Sequence, residues 1–184
     1  MSNPIYISFN PTSNTAKEII VQLQQDFGNN NVLLSKSLAV EPDGNQMNDL
    51  LNKIDQQVPD TSLMITLLEN SNLNNECFKY ENLQAFLLGI PIIPLNITNA
   101  EINTEDNPFA NIGAYFDETG LICYPMELIN DEWQQYELIS SIDLEEPIHQ
   151  DMRDKVYSLD IFCEMKNWQA DKKSTLNLIK KSLG

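Results

Sequence analysis

The sequence predicts an α/β domain built on a mainly parallel sheet. Three features carry that expectation. Apolar runs of strand length alternate with segments of helical period through the first half of the chain, and the breaks between them are short. Residues 62–68 are apolar almost throughout, as a strand covered on both faces must be. Repetition of strand and helix implies right-handed crossovers onto one sheet. The 184 residues read as a single domain, with a core over about 1–97 and a hairpin and helix elaboration over 98–184.

Each element has its own local justification. Residues 4–9 are a β-branched and aromatic run, and Asn10-Pro11-Thr12-Ser13 supplies a turn and a helix start. Ala16, Ile19, Ile20, Leu23 and Phe27 recur at helical spacing over 13–27, and Gly28 ends that helix. Residues 31–35 form a second short strand. A loop over 38–45, containing Pro42-Asp43-Gly44, leads to a helix marked by Met47, Leu50, Leu51 and Ile54. After the strand at 62–68, residues 74–88 form a third helix ended by Gly89. Residues 91–97 form a fourth strand, whose Pro91 and Pro94 point to an edge or a bulge.

The second half changes character. Residues 100–111 are polar and broken at Asn107-Pro108-Phe109, and Asp117-Glu118-Thr119-Gly120 joins 114–116 to 121–124 as a hairpin. Trp133 and Tyr136 sit one helical turn apart or within another strand. Residues 160–183 read as a helix gathering Lys172, Lys173, Lys180 and Lys181.

Composition excludes several function classes. Eleven Lys and Arg stand against 27 Asp and Glu, a net charge of -16, which repels phosphate backbones and anionic lipid. Neither nucleic acid nor a membrane surface is expected as a partner. The N-terminus lacks a basic flank and a long apolar run, and no later stretch is long enough to span a bilayer. Cys77, Cys123 and Cys163 are far apart and odd in number, which fits thiols in a reducing cytoplasm. A single histidine, His149, lies beside no nucleophile motif and reads as a surface residue. No metal-ligand spacing and no glycine-rich phosphate loop is present, so any chemistry rests on carboxylates or hydroxyls.

In open parallel sheets ligands sit beyond the carboxyl ends of the strands, where the strand order reverses. For a flavodoxin-like order that crevice lies between the first and third strands, which draws attention to residues 9–13 and 69–81. Laid on a helix, Cys77, Glu81, Ala85 and Leu88 fall on one stripe. A glutamate in such a row lies either at the rim of the core or facing a pocket, and desolvation there favours its neutral form unless a partner offsets it. A receiver-type response module would need clustered acids after the first strand, where Asn10-Pro11-Thr12-Ser13 stands instead.

Three segments carry a family resemblance. Tyr6-Ile7-Ser8-Phe9 ends the first strand, Ser71 to Glu81 reads Ser-Asn-Leu-Asn-Asn-Glu-Cys-Phe-Lys-Tyr-Glu, and Gly89-Ile-Pro-Ile-Ile-Pro-Leu opens the fourth strand. In this order they resemble the TIR domain's opening strand, its serine–spacer–Trp-x-x-x-Glu motif, and its glycine followed by a proline-led strand. More narrowly, the chain is similar to the TIR-like subunits of bacterial Thoeris antiphage systems. That likeness runs through Tyr80-Glu81, Asn107-Pro108-Phe109 with Gly113-Ala114-Tyr115, Trp133-Gln134-Gln135-Tyr136, and Tyr157-Ser158-Leu159. Cys77 stands where the family has Trp, so packing under the active-site helix differs.

The resemblance implies a flavodoxin-like, TIR-like three-layer sandwich that cleaves NAD at the nicotinamide–ribose bond. Glu81 would be the catalytic carboxylate. Phe9 or Tyr115 would stack on a ring of the dinucleotide, and Ser8, Asn10 and Ser13 would hydrogen-bond it. Ser71, Cys77 and Tyr80 would complete the substrate site. No metal and no cofactor is implied, with NAD as the substrate. A separate effector would read a diffusible nucleotide product, and copies of the chain would be able to assemble as a homo-oligomer. The rival expectation is a TIR-like interaction module without catalysis.

Overall fold

In the computed structural model, which describes residues 4–35, 44–69, 75–98, 102 and 107–184, strand and helix alternate through the first half as expected. The elements are β1 (Ile5–Ser8), α1 (Asn14–Phe27), β2 (Val32–Leu34), α2 (Gly44–Gln57), β3 (Leu63–Leu68), α3 (Glu76–Leu87) and β4 (Ile92–Asn96). Then come β5 (Ile112–Phe116), β6 (Ile122–Ile129), β7 (Glu132–Gln135), β8 (Ile142–Asp143) and β9 (Lys155–Ser158), and finally β10 (Lys166–Asn167) and α4 (Trp168–Ser182). The chain divides into two compact units, residues 1–102 with 165–184, and residues 103–164.

The first unit holds a five-stranded sheet in the order β2-β1-β3-β4-β10, and every adjacent pair is parallel. Strand order reverses between β1 and β3, because the chain steps outward from β1 to β2 and then returns to the other side. Alternation along the strands separates two faces. Ile5, Ile7, Leu63, Ile65, Leu67, Ile93 and Leu95 pack with Ala16, Ile19, Ile20 and Leu23 of α1 and with Trp168 and Ile179 of α4. The alternate residues Tyr6, Ser8 and Thr66 turn their hydroxyls to α3 on the other face. α3 also contacts α2, where Tyr80 Oη donates to Asp55 Oδ1 at 2.6 Å.

Local chemistry sets the helix ends. Ser13 Oγ accepts from Ala16 N at 3.1 Å at the start of α1, and Gly28 ends it with φ 90°. Asn75 Oδ1 accepts from Cys77 N at 2.9 Å at the start of α3. Each such N-terminal cap is worth about 1 kcal/mol.

Two expectations for the ends of this unit need correcting. β4 is not an edge strand, since β10 pairs with its Leu95 and Asn96. The prolines are nevertheless compatible with the ladder. Ile97 N donates to Leu68 O and Met64 N donates to Pro91 O, so odd-numbered residues of this strand face β3. Pro94 therefore turns its missing donor away from β3, at a level where β10 has not yet begun. The last helix also starts later than residue 160. Leu159–Ile161 is a 3-10 turn, and α4 begins only after Asn167, whose Oδ1 accepts from Gln169 N and Ala170 N.

The second unit is antiparallel, in the order β7-β6-β5-β9, with β8 also on β6. The hairpin expected around 117–120 joins β5 to β6. There Asp117 Oδ1 accepts from Leu121 N and Ile122 N, both at 3.0 Å, and Gly120 takes φ 73°. Trp133 lies in β7, which resolves its two expected settings in favour of a strand. No helix among the described residues is long and apolar enough to cross a membrane.

Candidate functional site

Glu81 and Asn82 are consecutive in the middle of α3, and both are fully buried. Burying a carboxylate costs several kcal/mol unless hydrogen bonds replace its water. Here hydroxyls do so. Tyr6 Oη donates to Oε1 at 2.8 Å, Ser35 Oγ donates to the same oxygen, and Ser8 Oγ donates to Oε2. Hydrogen bonds to a charged acceptor are worth about 1.5–3 kcal/mol each, so three of them offset a penalty of that order.

Strand geometry explains how the donors meet. Tyr6 and Ser8 are two apart on β1 and so share a face. Ser35 directly follows β2, and its N–H donates to Ile7 O at 2.9 Å, which places it level with the carboxyl end of β1. One strand over, Thr66 pairs with Ser8 in register and donates from Oγ1 to Asn82 Oδ1 at 2.7 Å. Asn82 Nδ2 in turn donates to Phe78 O at 2.8 Å. Glu81 and Asn82 thus meet a row of hydroxyls carried by β1, by β3 and by the residue just after β2.

The electrostatics favour phenol as a donor. Burial, and then the charge of Glu81, push Tyr6 far above its ordinary pKa of 10.0, with a smaller opposing contribution from Ser35. Tyr80 is raised as well, chiefly by burial and then by its bond to Asp55. Both remain protonated across the physiological range.

The sequence-derived site residues divide into groups. Glu81 and Ser8 are brought together. Cys77 lies one turn before Glu81 on α3, fully buried, with its Sγ 4.0 Å from Met47 Sδ. Tyr80 points instead to α2 through its bond to Asp55. Phe9 belongs to the core on the α1 and α4 face, away from Glu81. Asn10 Oδ1 accepts from Thr12 N at 2.9 Å and from Thr12 Oγ1 at 2.8 Å, and Ser13 caps α1, so both form the turn after β1. Tyr115 is in β5 of the second unit, where its Oη donates to Asp154 Oδ1 at 2.9 Å. Ser71 lies outside the described residues, as do most of the loop at 38–45 and of the stretch 100–106.

Two details of the sequence reading change. Glu81 is not a rim residue, since no part of it reaches solvent. Leu88, placed on the same stripe, is 46% exposed at the C-cap of α3, where its N–H still donates to Gln84 O at 3.1 Å. Tyr6 and Ser35 were not foreseen. A signal for Tyr6 did exist, since it shares the alternation of Ser8 on a buried strand. Nothing local marked Ser35, whose partner is 46 residues away.

Among the described residues no group of three or more His, Cys, Asp or Glu could hold a metal ion. His149 lies at the surface, 3.3 Å from Asp151. No protein-family model matches the chain, and no curated protein matches it significantly.

Proposed function

We propose that this chain is a TIR-like enzyme that breaks the nicotinamide–ribose bond of NAD, with Glu81 as the carboxylate beside the reacting carbon. Its product would be an ADP-ribose-derived signalling nucleotide, a cyclic ADP-ribose isomer or an amino-acid conjugate, read by a separate effector in bacterial antiphage defence. The observation that carries this reading is an ionisable group on α3 held by three hydroxyls, two of which, Ser8 and Ser35, lie at the carboxyl ends of parallel strands. The strand order, reversing between β1 and β3, supports a flavodoxin-like and TIR-like arrangement.

The chemistry asks little of the protein. Nicotinamide leaves as a neutral base from a pyridinium, so no strong acid is needed. The barrier lies in positive charge developing on the ribose, as in glycoside hydrolysis. A fixed carboxylate stabilises that charge and orients the sugar through a ribose hydroxyl. Glu81 already accepts from hydroxyls, and a ribose offers donors of the same kind. A sugar entering from the carboxyl ends of the strands would exchange its hydroxyls for those of Ser8 and Ser35. The acceptor then decides the product: water gives ADP-ribose, an internal atom a cyclic isomer, and an amino acid a conjugate.

Complete burial of Glu81 among three donors also favours a second reading, a non-catalytic TIR-like interaction module in which this cluster only holds α3 to the sheet. Incubating purified protein at high concentration with NAD and measuring nicotinamide by mass spectrometry separates the two. The enzyme reading expects release that Glu81→Gln lowers a hundredfold or more, on the order seen when one transition-state-stabilising group is removed. Release undiminished in Glu81→Gln, or intact NAD with no binding by calorimetry, would overturn it.

A further inference from the structure

We propose that Tyr6 is the positioning residue of the Glu81 carboxylate: its phenol holds Oε1 from the N-terminal side of β1, fixing the orientation of the group and favouring its ionised form. The hydrogen-bonding role stands on geometry alone, while its bearing on catalysis rests on the NAD-cleaving reading above.

The argument begins with where Tyr6 lies. It is fully buried and two residues before Ser8, which is about 7 Å further from the carboxyl ends where a ligand would sit. It therefore acts through Glu81 rather than on a substrate. Phenylalanine would fill the same space, and a buried hydroxyl costs free energy unless it is bonded. The carboxylate is what makes tyrosine suitable at this point. Held far above its ordinary pKa by burial, the phenol stays a donor and never competes as an anion.

The rest of the helix supports the same alignment. The bond from Thr66 to Asn82 ties α3 to β3 one residue beyond Glu81, and the bond from Asn82 to Phe78 O, within the helix, orients that amide. The other charged and titratable groups on the packed elements include half-buried Glu69 just after β3 and exposed Asp49 and Lys53 on α2. On α3, Cys77 lies one turn earlier and acts weakly on Tyr6, and Lys79 pairs with Glu76 at 3.1 Å. On α2, Asp55 is bonded to Tyr80, and in the turn after it Asp60 is exposed. The facing positions of β3 and β4, Met64, Thr66, Ile92 and Pro94, do not titrate.

Protein labelled with carbon-13 at the glutamate side-chain carboxyl tests this, with the Glu81 resonance identified by its loss in Glu81→Gln. In Tyr6→Phe the pH midpoint of that resonance is expected to rise by about one unit, a tenfold gain in proton affinity, because a donor to the charged form has been removed. An unchanged midpoint overturns the proposal. The wild type gives a reading of its own: a slowly exchanging phenolic proton assigned to Tyr6 is expected, and a freely exchanging one overturns it. With NAD, Tyr6→Phe should lower kcat about tenfold at unchanged KM, and a raised KM at unchanged kcat counts against positioning. If the midpoint rises in Tyr6→Phe but the wild type releases no nicotinamide, the enzymatic reading falls and the role of Tyr6 stands.

Discussion

Thr66→Val tests how α3 is fixed against the sheet. The exchange replaces a hydroxyl by a methyl in nearly the same volume, and it keeps a β-branched residue in β3, so backbone preference is undisturbed. What disappears is the donor 2.7 Å from Asn82 Oδ1, with both residues fully buried. The amide of Asn82 has no easy remedy. Its Nδ2 donates to Phe78 O at 2.8 Å, and turning the group over would sacrifice that bond. A buried acceptor left without its donor costs about 1–3 kcal/mol, or a fall in Tm of about 2–4 °C per kcal/mol for a chain of this size. Adding Asn82→Leu removes both partners, so the double variant should recover part of the loss. The measurement is urea unfolding in a Trp133→Phe background, which leaves Trp168, in the core of the first unit, as the single tryptophan reporter. Equal stability of Thr66→Val and its parent, or strict additivity of the two changes, would refute the reasoning.

Other consequences can be measured independently. Because the folded-state pKa of Tyr6 is raised above 10.0, its contribution is fully present below about pH 10 and is lost as pH rises further. The loss should be about 1.4 kcal/mol per pH unit, absent in Tyr6→Phe, so parallel alkaline unfolding curves for the two proteins would count against it. Gly113→Ala would place its Cβ 2.4 Å from Tyr157 O, and it should destabilise the pairing of β5 with β9 by about 1–3 kcal/mol or more. An unchanged urea midpoint by Trp133 fluorescence, compared in a Trp168→Phe background, would contradict this. Asp117 is held below its ordinary pKa, first by the Ile122 amide, so the hairpin should loosen as pH falls through that lowered value. Asp117→Ala should speed amide exchange at Leu121 and Ile122 at neutral pH, and unaltered exchange would contradict this.

How much of this was legible in the sequence depended on whether the cause was local. β1 to β4 and α1 to α3 follow from apolar and β-branched runs of strand length, helical period and caps such as Ser13, all of which act within a few residues. Two-residue β10 is too short for any periodic signal, and it exists because Leu95 and Asn96 offer it an open ladder. Helix α3 gave the least guidance, because Cys77, Phe78, Tyr80, Glu81, Asn82, Leu83 and Ala85 are all buried and leave no polar face to orient it. Glu81 was identifiable as a carboxylate out of place, but its donors were not. Tyr6 is 75 residues away in sequence, and only the register of β1 against α3 brings the two together.

The route by which the parallel sheet is completed bears on how the chain is made. β10 and α4 come from residues 165–184, after the whole of 103–164 has been synthesised. Until they leave the ribosome, the nascent sheet presents β4 as a bare edge, and its α1 side lacks Trp168 and Ile179. Unpaired edges and unfinished apolar faces are where newly made chains stick to one another or are bound by chaperones. The interval in which 103–164 is being translated is therefore the vulnerable one for the first unit, and the C-terminal helix is what ends it.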